Sequence, residues 1–307
     1  MSASIRLNDF VLVFVVISSM AAAIIFPDFG SRFRSLPFYC LMIIFFLSYL
    51  SIDLTSVWKI LKGYGTKIVV FTVMKLALLP LIIYYIFYFI APNYALSSLL
   101  LTGVSVGVVA PMVSNMVQGN SALVLVVVVI TSTLAPFTLP ALIKIIASKE
   151  VAISFMSMLR MLAAVIFIPI IVVEVIRYLL PRLVAPIQKI RFPVSLLLFA
   201  LINLGVFYRY ASFFKREPSV IIMSTVGAFV LAAIYCVIGI AFFRKESVEN
   251  QIAGAVMLGN VNNVLVIVFS SEFFGPIEAL VASMYTIPFW VIVIPLRYYH
   301  HRKAHIA

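Results

Sequence analysis

The chain has 307 residues, 64% of them hydrophobic and 10% charged, with a net charge of +12. A water-soluble domain carries about a quarter charged residues, so too few polar groups are present here to coat a water-facing surface. Composition therefore excludes a soluble globular protein, and with it the nucleic-acid partner that a soluble chain this basic would suggest; lipid is expected to be the main solvent.

Taken in order, the apolar runs predict ten helical spans, each near the roughly 20 residues that cross a hydrocarbon core. They fall at about 9–27, 37–54, 67–91, 94–117, 121–147, 152–180, 192–209, 219–243, 252–273 and 276–299. The first run, Phe10–Pro27, lacks a small-residue cleavage site at its end and reads as a retained helix. An even number of spans puts both termini on one side. Most lysines and arginines then share that side: Arg6, Lys59, Lys62, Lys67, the Arg177–Arg191 group, Arg244, Lys245 and the basic tail. Fewer lie opposite, namely Arg32, Arg34, Lys144, Lys149, Arg209, Lys215 and Arg216. The bias predicts a multi-pass protein of the plasma (inner) membrane with both termini cytoplasmic.

The histidines His300, His301 and His305 belong to the tail, which reads as a charged end at the membrane surface. Cys40 and Cys236 sit inside apolar runs and read as buried hydrophobes. No metal-ligand spacing and no catalytic constellation can be assembled, so neither an enzyme nor a cofactor is expected. Glu174 stands three residues before Arg177, which predicts an i,i+3 pair near the end of span six.

Ten spans divide into five plus five, and an odd-numbered repeat must insert with opposite topology in each half, the plan of many secondary transporters. Spans four and nine, which correspond in the two halves, are the most interrupted. Span four runs from Thr102-Gly103 through Gly107 to Ala110-Pro111, followed by Ser114-Asn115; span nine contains Gly259-Asn260-Val261-Asn262-Asn263. Proline removes a backbone hydrogen bond, and unwound backbone at membrane depth is tolerated only where it lines a cavity or faces protein. Gly103 and Gly107 read as a small-xxx-small packing device. The asparagine cluster reads as functional, because desolvating several amides for packing alone is costly. The candidate solute- or ion-binding residues are therefore Lys75, Pro111, Ser114, Asn115, Asn260, Asn262 and Asn263.

Lys75 is the sharpest of these. It lies well inside span three, flanked by Val73, Met74 and Leu76. A charge near the bilayer centre costs at least ~2.5 kcal/mol on lenient scales, so it needs a partner or a cavity. Three roles are open: a tether to loop carbonyls, a side chain snorkelling toward the span end, or an internal cation that also carries a proton.

Three stretches carry a family resemblance. One is Met74-Lys75-Leu76-Ala77-Leu78-Leu79-Pro80, after a loop with Asp53, Leu54 and Trp58. The second is Gln118-Gly119-Asn120-Ser121, leading to Thr131-Ser132-Thr133-Leu134-Ala135-Pro136. The third is the asparagine-rich segment of span nine. They resemble the bile acid:sodium symporter family. The resemblance implies an all-α membrane fold of ten helices in one transporter domain. Its core would be 67–147 and 219–299, its panel 9–54 and 152–209, with helices four and nine broken and crossing. It also implies two sodium sites, but their side-chain ligands fall here on Ala110, Pro111, Val124, Val128 and Leu258, and the family's glutamine five residues before proline falls on Lys75. Those apolar side chains supply no oxygen, so bound sodium is not expected unless a gap brings the Ser114-Asn115 dipeptide, four residues late, into register and partly restores the site. Asn262 matches a family glutamine and keeps an amide oxygen.

The expected activity is secondary transport, or facilitation, of a small organic solute, by analogy an anion, with proton coupling or uniport in place of sodium. Its expected partners are that solute and the bilayer. The alternatives are a sodium-coupled symporter and a non-transporting sensor of the same fold. A cation/proton exchanger would need intramembrane carboxylates; none lies in spans three, four, five or eight, and Glu272 and Glu278 only flank the short turn between spans nine and ten.

Overall fold

The structure, a computed structural model, describes residues 7–50, 52, 65–147 and 154–304. Arg6, Asp53, Leu54, Trp58, Lys59, Lys62, Lys149 and His305 lie outside the described residues.

Among the described residues every regular element is helical. In chain order they are α1 (Leu7–Ile25), α2 (Pro27–Ser31), α3 (Pro37–Tyr49), α4 (Gly65–Ile90), α5 (Ala95–Gly103), α6 (Ala110–Met116), α7 (Ser121–Ala147) and α8 (Phe155–Leu179). There follow α9 (Pro181–Phe207), α10 (Ala211–Arg216), α11 (Ser219–Phe242), α12 (Val248–Gly259), α13 (Asn263–Phe273), α14 (Pro276–Met284), α15 (Thr286–Val291) and α16 (Val293–Ala304). Among the described residues, six helical runs are long and apolar enough to cross a membrane: α4, α7, α8, α9 with α10, α11, and the α14–α16 run. Their outward faces carry large exposed apolar side chains such as Phe89, Ile171 and Val237, as a lipid-facing surface does. Shorter apolar helices come from α1, α3 and α13.

Span boundaries move where proline and charge mislead. Helix α9, expected from 192, begins well before it at Pro181 and runs through Pro186 and Pro193. Its first turns carry Arg182, Lys189 and Arg191 among exposed residues, which reads as a loop in sequence, yet Val184 and Ile187 pack on the core and hold the segment helical. The last span breaks at Tyr285 and Ile292. Pro288 and Pro295 lack the N–H that would bond Met284 and Val291, so the helix yields one residue beyond each carbonyl.

Packing forms two neighbourhoods joined where α7 packs on α8: α1, α3, α8 and α9 pack on one another, while α4 packs on α5, α6 on α7, and α11 on α12 and α14. The α11–α12 contact is a close backbone approach. A Cβ at Gly239 would collide with the Gly254 carbonyl, and one at Gly254 with that of Gly239, so both positions require glycine. Arg177 stitches the first neighbourhood together. It pairs with Glu174 at 2.8 Å and donates to the carbonyls of Tyr49, Leu50 and Ile52, capping the C-terminus of α3.

Candidate functional site at two broken helices

Two apolar segments, 95–116 and 248–273, are unwound in the middle. Residues 104–109 separate α5 from α6, and 260–262 separate α12 from α13. The two gaps meet. Val106 and Val261 form an antiparallel bridge, in which the Gly107 N–H donates to the Asn260 carbonyl at 2.7 Å and the Asn262 N–H to the Ser105 carbonyl at 3.0 Å. This exchange satisfies backbone groups that would otherwise be bare in a low-dielectric interior. Gly107 is needed for it, since a Cβ there would lie 3.0 Å from the carbonyl oxygens of both Asn260 and Val261. The two glycines of span four thus differ. Gly103 seats helices, facing Leu139 and Leu142, whereas Gly107 serves the crossing. The Val106 N–H donates to Thr131 Oγ1 at 3.1 Å, and that hydroxyl donates to the Val127 carbonyl.

Lys75 is 1% exposed. Its Nζ donates to the carbonyls of Thr102 at 2.5 Å and Val104 at 2.9 Å, the last carbonyls of α5 as it unwinds. The local sequence aims it there. Pro80 cannot bond the Leu76 carbonyl, and the helix responds with a π turn over Met74–Leu78, in which the Leu79 N–H reaches the Met74 carbonyl. The added residue rotates Lys75 inward, while Val73 and Leu78 stay exposed on the outer face. A cation at a helix C-terminus also faces the negative end of the dipole. The snorkelling alternative is overturned: the amine ends inside the protein.

The second break is held by hydroxyl and amide groups. Tyr285 Oη donates to the Gly259 carbonyl at 2.7 Å, and Asn260 Nδ2 to the Phe289 carbonyl at 3.0 Å. Asn262 Oδ1 accepts from the Leu265 N–H and caps α13, and Asn263 Nδ2 donates to Thr286 Oγ1 at 2.8 Å. Thr102 Oγ1 and Tyr235 Oη share a hydrogen bond of 2.5 Å, and the Tyr235 and Tyr285 rings lie 6.1 Å apart. One contiguous polar cluster thus spans both breaks. Within it, Ser105 Oγ, Asn260 Oδ1 and Asn262 Nδ2 are buried without a hydrogen-bond partner among the described residues.

Of the seven residues expected from sequence, Lys75, Asn260, Asn262 and Asn263 converge here. Pro111 is half-buried in the first turn of α6; Ser114 is buried against the Gln118–Asn120 turn, where the Gly119 N–H bonds its carbonyl; Asn115 is exposed. Sequence reasoning passed over Thr102, Ser105, Tyr235 and Tyr285. The two tyrosines carry a faint signal, since a phenol in the middle of an apolar span has a hydroxyl that must find a partner. The positions matched to sodium ligands, Ala110, Val124, Val128 and Leu258, are fully buried in apolar packing. They offer no side-chain oxygen to a cation.

A cavity of about 440 Å³ lies where α13 ends, lined by Arg34, Phe38, Met161, Arg209, Glu272 and Phe273. It falls between the two packing neighbourhoods. The length of α13 sets it about 15 Å from the crossing. Arg209 lies 3.9 Å from Glu272. Arg34 has no ion pair among the described residues.

Residues 8–294 match the profile of the SBF-like CPA transporter family, and the chain belongs to that family. The match agrees, at this coarser level, with the relationship that the sequence motifs point to. No curated protein matches the chain. Family and apolar helices together make it a multi-pass membrane protein of a transporter family.

Proposed function

We propose that this member of the SBF-like CPA transporter family is a secondary transporter of a small organic anion that works by alternating access without sodium. Lys75 carries the reading. Its ammonium lies against the end of α5, at the position where the family resemblance puts a sodium ligand, and bonds the carbonyls a bound cation would hold. A fixed cation does a metal ion's structural work at that break and never leaves. The two broken helices support a five-plus-five inverted repeat with the solute site near the midplane, and the unpartnered groups of Ser105, Asn260 and Asn262 suit a polar solute. Arg34 and Arg209 in the cavity beside α13 favour an anion.

Uniport is the simplest cycle for a tethered amine. Proton coupling is a second reading, favoured because Lys75 has no carboxylate partner among the described residues. Uptake into proteoliposomes under imposed sodium or pH gradients tests both. A sodium gradient is expected to leave the rate unchanged, and uptake that follows it would falsify the proposal. Uptake that follows the pH gradient, and loses that dependence in Lys75→Gln, selects the proton cycle.

A further inference from the structure

A second cavity, of about 340 Å³, opens where α4 begins and α11 ends, lined by Lys67, Val70, Phe242, Arg244, Lys245 and Glu246. Both helices are apolar and of membrane-crossing length, so their ends put the cavity at the boundary between hydrocarbon and water. Its cations outnumber its carboxylates. Lys67 pairs with Glu246. Arg244 and Lys245 are exposed and have no ion-pair partner among the described residues. One wall is hydrocarbon: Val70 is exposed beside Val69 on the outer face of α4, and Phe242 is half-buried. A ligand that satisfies such a seat is oxygen-rich and anionic at one end and apolar at the other.

We propose that this cavity binds the phosphate of an anionic phospholipid headgroup between Arg244 and Lys245, with the acyl chains lying along Val69 and Val70. Guanidinium and ammonium groups make charge-assisted hydrogen bonds to phosphate oxygens, and basic clusters at a membrane boundary attract anionic lipid. The seat is tied to the first turn of α12. Asn250 Nδ2 donates to Glu246 Oε2, Gln251 Nε2 donates to the Glu246 carbonyl at 2.9 Å, and Asn120 Nδ2 donates to Asn250 Oδ1 at 2.8 Å. Asn250 and Gln251 are in the first turn of α12, the half-helix that ends at Gly259. A phosphate that draws Lys67 from Glu246 therefore acts on the helix leading to the site.

The full chain in a neutral detergent tests this by thermal unfolding with added phosphatidylglycerol, phosphatidylcholine or inorganic phosphate. Phosphatidylglycerol is expected to raise the unfolding temperature, and phosphatidylcholine to leave it unchanged. The midpoint should weaken about tenfold or more in the double variant Arg244→Gln/Lys245→Gln, and stay put in Arg302→Gln/Lys303→Gln, which removes the same charge from the exposed last turn. Equal weakening in both double variants, or none in the first, overturns the seat. An equal shift by inorganic phosphate alone overturns the lipid assignment. Should the first double variant fail to fold, Glu246→Gln decides: freeing Lys67 should tighten the midpoint, and an unchanged or weaker one sinks the idea.

Discussion

The amine of Lys75 has two carbonyl oxygens within hydrogen-bonding distance and, among the described residues, no counter-charge. Lys75→Met keeps the apolar stem and strips both carbonyls of their donor. Each buried acceptor left bare costs about 1–3 kcal/mol, so unfolding in detergent should show a loss of that size for each. Lys75→Gln keeps a donor and is expected to lose less while remaining folded. At Gly107 the added methyl of Gly107→Ala would press on two carbonyl oxygens of the partner segment. A destabilisation of about 1–3 kcal/mol is expected, with solute uptake falling further than stability because the crossing itself is spread. Lys75 stood out in the sequence for cost, as a charge in an apolar run, whereas Gly107 read there as a packing device beside Gly103. Asn115 stood out by spacing alone, and it is exposed.

At the scale of the element, two half-helices at the crossing end on a side chain from elsewhere in the chain, and a third starts on its own cap. Lys75 bonds the end of α5, Tyr285 that of α12, and Asn262 begins α13. Tyr285→Phe should cost about 1–3 kcal/mol through the bare Gly259 carbonyl, and Asn262→Ala about 1 kcal/mol through the lost cap, both read by thermal unfolding. The breaks themselves were legible, because proline, glycine and clustered amides do not continue a lipid-facing helix. Their fasteners were not. Tyr285 and Gly259 are far apart in sequence, and a backbone carbonyl leaves no trace in the residue that owns it. The early start of α9 was hidden for the opposite reason: Arg182, Lys189 and Arg191 look like a loop until Val184 and Ile187 are seen packed on the core.

For the molecule as a whole, composition sufficed to place the chain in lipid, and hydropathy located the long helices. The charge bias predicts more. In a variant with Cys40 and Cys236 replaced by alanine, a membrane-impermeant thiol reagent should label Arg34→Cys and Arg302→Cys from opposite faces of sealed vesicles; labelling from one face would refute the topology. What hydropathy could not give is which helices pack together, since that depends on side-chain shape along each face, as at Gly239 and Gly254.

The crossing is fastened main chain to main chain, at Gly107–Asn260 and Asn262–Ser105. Such a fastening needs the bare backbone of Gly107, and it ties α5, α6, α12 and α13 together at one point. Under the alternating access proposed above, opening toward either side of the membrane would come from slippage where only side chains touch, as α13 touches α3 and α9. Mutational sensitivity and mechanical compliance should therefore lie in different places: the joint rigid and intolerant of change at Gly107, Lys75 and Tyr285, the sliding surface compliant.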